Sequence, residues 1–285
     1  MRPSHLAALL GALALTRADG TRAQPRDLGA APSTDAVRLR LHHRAGSTAR
    51  FVARTAHTAG PPEATTRSTT TATITVETRA VGPGGEARQR MRIERMAVEG
   101  AGMPPGLRAR VARALTGAAF EYTQSDRGEV SARELATEVP DELRPILDAT
   151  MQSLDHLDAQ LPERPVRLGE RWTERRTLHL APLPGTRVAM RYETEYTLRA
   201  LRPDGAAVLA LAVRLATPEG ATLAGIPFHG EGHAAGESVV DLARGVVRES
   251  RTAGQLSVRL SVRGRTVDVP SRFESEMRLL SSRLR

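Results

Sequence analysis

The sequence predicts a mostly β, α+β fold: a large curved antiparallel sheet or half-barrel of roughly ten strands, with one short and one long helix packed on it. Three observations predict it. Long segments alternate apolar and polar residues with period two, which puts one face of each strand in a core and the other in water. Turn signals rich in Gly, Pro and Asp fall between those segments at hairpin spacing. Two further segments carry apolar residues at helical spacing instead.

Taken in chain order, the first residues give an address rather than an element. Met1-Arg2-Pro3-Ser4-His5 precedes an apolar run from Leu6 to Leu15, followed by small and polar residues up to Ala23. That is the layout of a signal peptide, and its apolar run of about 10 residues falls short of the ~20 that a membrane-spanning helix needs. Residues 1–23 are therefore expected to be cut near Ala23, leaving a soluble extracytoplasmic product, periplasmic or secreted, with no transmembrane segment. The chain contains no Cys, so it offers no thiol for a lipid anchor, a disulfide or a thiolate metal site. Residues 24–36, rich in Ala, Pro, Ser and Thr without periodicity, read as a flexible lead-in.

Residues 37–285 read as one β-rich domain. Val37, Leu39 and Leu41 alternate with Arg38, Arg40 and His42; Ala72, Ile74 and Val76 alternate with Thr and Glu77. Between Met91-Ile93 and Met96-Val98 the apolar phase slips by one, which predicts a bulge at Glu94-Arg95. Pro104-Pro105, then Leu107, Val111, Ala114 and Leu115, then Gly117, predict the short helix, with Pro at its start and Gly at its stop. From Asp141 to Leu161, Leu143, Leu147, Met151, Leu154 and Leu161 form an amphipathic stripe with acidic residues at its start, the longer helix, whose apolar face must lie on the sheet. Val188, Met190, Tyr192, Thr194, Tyr196, Leu198 and Ala200 then share one face of a long strand, with Arg191, Glu193, Glu195 and Arg199 on the other. Leu256, Val258, Leu260 and Val262, and finally Phe273, Ser275, Met277 and Leu279, repeat the pattern. Strands with one wet face belong to antiparallel sheets. Strand-turn-strand segments at Tyr122–Val130 and Val240–Val247 suggest two related halves, about 37–161 and 162–285.

The run Leu161-Pro162-Glu163-Arg164-Pro165-Val166-Arg167-Leu168-Gly169-Glu170-Arg171-Trp172, with the Ser125-Asp126-Arg127-Gly128-Glu129-Val130 hairpin ahead of it, resembles a segment of uncharacterised exported bacterial domains of unknown function. The resemblance implies an exported β-rich domain and brings no activity with it. The order of elements is also similar to the lipoprotein-carrier architecture, in which a curved antiparallel sheet covered by helices holds acyl chains. That likeness is one of fold, and function does not follow from fold.

Charge argues little about partners. Every basic residue is Arg and the chain lacks Lys and Asn, a pattern of coding bias. Removing residues 1–23 lowers the net charge from +9 to +7, because they hold three Arg and one Asp. The Arg residues are dispersed among acids, and Trp, Tyr and Phe total only eight, so specific nucleic-acid binding is not expected.

Two constellations carry chemistry. His229, Glu231 and His233 sit at i, i+2 and i+4 of a strand, where two imidazoles and a carboxylate share a face and could hold a divalent metal. The alternative for the same segment is a glycine-interrupted strand, Gly230, Gly232 and Gly236, with its polar residues in water. His57 and the other isolated histidines are expected at the surface or its boundary. The second constellation is apolar: Trp172, Tyr192 and Tyr196 on the sheet with Leu147, Met151 and Leu154 on the long helix would line a ligand space, although a single Trp opening a strand more often anchors a core. No nucleophile elbow, P-loop or dinucleotide fingerprint is present. The expected function is thus a non-enzymatic cell-envelope binding or carrier domain for a hydrophobic ligand or lipid, without a cofactor. A metal-binding protein or metal-dependent hydrolase and a structural domain with a protein partner are the alternatives.

Overall fold

The structure, a computed structural model, describes residues 35–101, 104–137, 159–180, 188–223, 225–262 and 265–283. The strands are β1 (Thr48–Ala59), β2 (Thr66–Val81), β3 (Ala87–Gly100), β4 (Ala119–Gln124), β5 (Val130–Leu135), β6 (Arg171–Leu180), β7 (Val188–Leu201), β8 (Ala206–Ala216), β9 (Thr222–Leu223), β10 (Ile226–Asp241), β11 (Val246–Val262) and β12 (Arg265–Arg283). Helix α1 (Pro105–Leu115) stands between β3 and β4.

All pairings are antiparallel, and the order is β5-β4-β3-β2-β1-β12-β11-β10-β8-β7-β6, with β9 paired to β10 off this path. The chain therefore meanders outward from β1 to one edge, crosses to the opposite edge at β6, and meanders back until β12 pairs with β1 along its whole length. The expected turn signals occupy the hairpin connections after β2, β4, β7, β8 and β10. The predicted bulge is present: Thr73 pairs with Arg95 and Ile74 with Ile93, leaving Glu94 as the extra residue. Further register shifts interrupt β1–β12, β7–β8 and β10–β11, and such irregularities bend a strand and raise its twist.

The sheet stays open, yet it curls until its two edges touch at one end. The β4–β5 turn places Arg127 Nη2 3.6 Å from Glu174 Oε1 of β6. Arg133 of β5 has its pKa lowered by burial and by the nearby Arg176 of β6. No backbone ladder joins β5 to β6 among the described residues; side-chain contacts and the bond from the Leu161 N–H to the Arg127 carbonyl span the seam.

Two expectations need correction. Residues 37–41 are extended and alternate in burial as predicted, with Leu39 and Leu41 buried, but they form an arm rather than a strand. Val37 makes an isolated bridge to Val166, the Leu41 N–H donates to the Asp126 carbonyl, and the His42 N–H donates to the Leu242 carbonyl. Period-two burial reports an extended backbone with one covered face; a ladder also needs one neighbour running alongside, and this arm meets a different segment at each step. The arm passes so close to the β10–β11 turn that a Cβ on Gly245 would lie 2.8 Å from His43 Nδ1, at a backbone φ of +64° that already favours glycine. The second correction concerns Leu161. Most of the expected long helix lies outside the described residues, but its end, Ala159–Leu161, is not helical; the Leu161 N–H donates to the Arg127 carbonyl and its side chain is fully buried.

Helix α1 begins at Pro105, as its Pro-Pro start predicts, and ends at Thr116, whose N–H and Oγ1 both donate to the Ala112 carbonyl. It buries Val111 and Leu115 against Met91, Ile93, Phe120 and Tyr122. In the sheet register Met91 lies beside Val76 and Val76 beside Ala49, so α1 covers the same face that β1 presents to the main core. Among the described residues, α1 and a 3-10 turn at Pro62–Ala64 are the only elements outside the sheet.

Candidate functional site

The register sorts the inner face into levels that run across the strands. Nearest the closed end, Phe51, Met277, Val247, Val240, Ala207, Leu209, Leu198 and Tyr196 form one cluster with Leu39 and Leu41 of the arm and with Ala159, Leu161 and Val166 ahead of β6. Trp172 stacks on Tyr196 with ring centroids 5.5 Å apart and planes inclined by 16°, and its Nε1–H donates to the Gln160 carbonyl at 2.8 Å. Burial pushes the Tyr196 phenol up, which keeps it neutral. Both rings thus pack in the closed-end core.

The most prominent polar groups at this end are paired. Arg40 donates to the Leu39, Pro162 and Glu163 carbonyls and lies 3.0 Å from Asp126. Arg127 donates to the Leu161 carbonyl and to Glu163. Asp241, 1% exposed, accepts from Arg248 Nε and Nη2 at 2.9 and 2.8 Å and from the Arg244 N–H at 3.0 Å; Arg248 also pairs with Asp204. Burying a carboxylate is costly unless it is paired and hydrogen-bonded.

One level further from the closed end the chemistry changes. The facing positions read His57, Phe273, Gly254, Ala234, Val213 and Thr194 from β1 to β7. Phe273, Ala234 and Val213 form a separate apolar cluster, with Tyr192, Leu211 and Leu215 half-buried beside it. Phe273 spans to Val213 across two strands because β11 and β10 present little there. A Cβ on Gly254 would lie 2.3 Å from the His233 carbonyl, and one on Gly236 would lie 2.2 Å from that of Arg251, so neither position tolerates a side chain.

The same level holds two buried polar atoms without a hydrogen-bond partner, His57 Nε2 and Thr194 Oγ1. The Tyr192 hydroxyl lies close enough to Thr194 to influence its own titration, so of the two the His57 nitrogen is the more isolated. His57 is 5% exposed, and burial lowers its pKa from 6.5 to about 4, so the ring is neutral at neutral pH. This corrects the surface or boundary position expected for it. Of the hydroxyls around it, Thr55 Oγ1 donates to Ser275 Oγ and Ser271 Oγ donates to the Leu256 carbonyl, while Ser68, opposite it on β2, makes no hydrogen bond to the ring. A buried polar atom left unmet costs about 1–3 kcal/mol. The sequence held no local signal for this site, because His57 looks like any strand histidine until its neighbours across β12 and β2 are known.

Of the expected site residues, Trp172, Tyr192 and Tyr196 all face inward, with Tyr192 and Tyr196 one step to either side of Thr194 and Tyr192 packed beside the Phe273–Val213 cluster. Leu147, Met151 and Leu154 lie outside the described residues. His229, Glu231 and His233 share the outer, solvent face of β10, while Gly230, Gly232 and Gly236 face inward. The His229 Nε2 to Glu231 Oε2 distance is 3.8 Å, but His233 Nε2 instead meets Gln255 Nε2 at 3.0 Å. Among the described residues no group of three or more His, Asp or Glu is disposed to hold a metal ion. The acids of β7 make cross-strand ion pairs on that same wet face, Arg175–Glu193 at 2.5 Å and Arg171–Glu195 at 3.2 Å. Among the described residues no helix is long and apolar enough to cross a membrane.

With this geometry in view, the chain can be set beside known proteins. No family model matches it, and no curated protein does. The fold is similar to part of lipovitellin. A solved lipovitellin structure, described as showing lipid–protein interactions, superposes with a TM-score of 0.51 at 8% identity over 85% of this chain. The match covers 26% of that chain, so this protein spans about a quarter of lipovitellin's length, and the likeness is one of fold.

Proposed function

We propose that this protein is an exported, non-catalytic carrier or binding domain that holds a hydrophobic small molecule or lipid against the concave face of its sheet. The observation that carries the reading is the division of the inner face: a closed end packed around Trp172 and Tyr196 with its main polar groups paired, and beyond it a separate apolar level built from Phe273, Val213, Ala234 and half-buried Tyr192, Leu211 and Leu215. Concave, mostly apolar surfaces with a few convergent polar groups are where small-molecule ligands bind. The likeness in fold to lipovitellin, whose structure shows lipid–protein interactions, supports the same reading. The signal-like layout of residues 1–23 supports export to a compartment where free lipid must be shielded from water.

The test is to purify the full chain from its own host without detergent and to measure bound lipid by native mass spectrometry and solvent extraction. A stoichiometric apolar or amphipathic molecule is expected. Protein that carries none, and that binds no lipid when incubated with vesicles of host lipid, would overturn the proposal.

A further inference from the structure

We infer that the molecule held on the concave face is a long-chain lipid with an uncharged hydroxyl head, and that the head hydrogen-bonds His57 Nε2. The inference rests on the carrier reading above and adds the head-group class to it.

Three observations converge. His57 Nε2 is buried on the inner face and has no partner, while the hydroxyls of Thr55, Ser275 and Ser271 around it are already engaged. Inner-face residues beside His57 carry no charge: Thr55 and Ala59 on its own strand, Ser68 and Thr70 on β2, and Ser271, Phe273 and Ser275 on β12. A phosphate or an ionised carboxyl placed there would lose its hydration without gaining a counter-ion, which is prohibitive in a buried site. The adjoining level offers an apolar path, because Gly254, Ala234 and Val213 continue from Phe273 across β11, β10 and β8 with small or apolar groups.

A hydroxyl suits this atom better than other uncharged heads. Burial keeps the imidazole neutral, so Nε2 is either a donor or an acceptor according to the tautomer. An ester only accepts, whereas a hydroxyl both donates and accepts and therefore meets either form. Fatty alcohols, acylglycerols with a free hydroxyl and sterols share this chemistry.

The experiment compares hexadecanol, hexadecane and palmitate, each delivered from cyclodextrin at neutral pH, as displacers of Nile red from the full-length protein. Hexadecanol is expected to bind about tenfold more tightly than hexadecane, the worth of one well-made buried hydrogen bond, and palmitate more weakly than hexadecanol. In His57→Phe the hexadecane affinity should persist while the hexadecanol advantage disappears. Thr194→Val should leave that advantage intact. In the wild-type protein, hexadecanol but not hexadecane should shift the His57 ring nitrogen resonances, a readout that does not depend on any variant folding. Equal affinity for hexadecanol and hexadecane, an advantage that survives in His57→Phe or vanishes in Thr194→Val, or an unmoved ring resonance would overturn the head-group assignment alone. Failure of all three compounds to displace the dye would overturn the carrier reading with it.

Discussion

The closed end of the sheet and the level one step beyond it are built from the same strands, often from residues two apart, yet they satisfy different rules. At the closed end every prominent polar group has found a partner: Trp172 Nε1 on the Gln160 carbonyl, Arg40 on three carbonyls, Asp241 under Arg248. Around Phe273 the sheet leaves a ring nitrogen unmet and interrupts its side chains with glycine. Folding alone rewards the first arrangement and penalises the second. The contrast therefore locates where the molecule gives up stability, and unmet buried groups held by a rigid frame are capacity for something other than folding.

Substitutions can break or sharpen that contrast. The largest effect belongs to the closed end. Asp241→Ala strands the Arg248 guanidinium and should cost about 3–5 kcal/mol in urea unfolding. Trp172→Ala, which empties the stacked pair and unmakes the Gln160 bond, should cost about 3–5 kcal/mol by the same measurement. Values below about 1 kcal/mol for both would mean that the closed end is no better packed than the rest.

The next effect belongs to His57 and depends on pH. Its folded pKa of about 4 lies below its unfolded value of 6.5, so between the two the unfolded chain binds more protons. Its contribution is complete above pH 6.5 and is lost as pH falls towards 4, up to about 3 kcal/mol. The wild-type protein should lose more stability over that window than His57→Phe, whose own stability at neutral pH should equal or exceed wild type because no unmet nitrogen is buried. Parallel pH curves for the two proteins would show that the ring finds a partner in solution.

Arg127 tests the seam. Arg127→Met removes the contacts to Leu161, Glu163 and Glu174 and should cost about 1.5–3 kcal/mol, seen also as faster amide exchange in β5 and β6. The smallest effect is expected on the outer face: His233→Ala loses only an exposed contact to Gln255 and should change stability by less than about 0.5 kcal/mol. A loss of bound metal in that variant would reopen the metal alternative.

Much of this architecture is legible in the sequence, and the parts that are not share a cause. The inward faces of β7, β11 and β12 follow from alternation, and the Glu94 bulge from a one-residue slip of phase, because each depends only on residues adjacent along the chain. The arm at Val37–Leu41 misleads for the same reason: its backbone is extended, but its neighbours change from bridge to bridge. His57 is illegible because its burial is set by β12, which arrives more than 200 residues later in the chain.

By itself, then, the sequence determined most of the strands, their inner and outer faces, and the start and stop of α1. Only the tertiary structure decided the strand order that sets β1 against β12, the curl that carries Arg127 to Glu174, and the isolation of His57 Nε2. Side-chain direction is fixed locally by the pleat, whereas burial and hydrogen-bond satisfaction are properties of whatever distant segment arrives opposite.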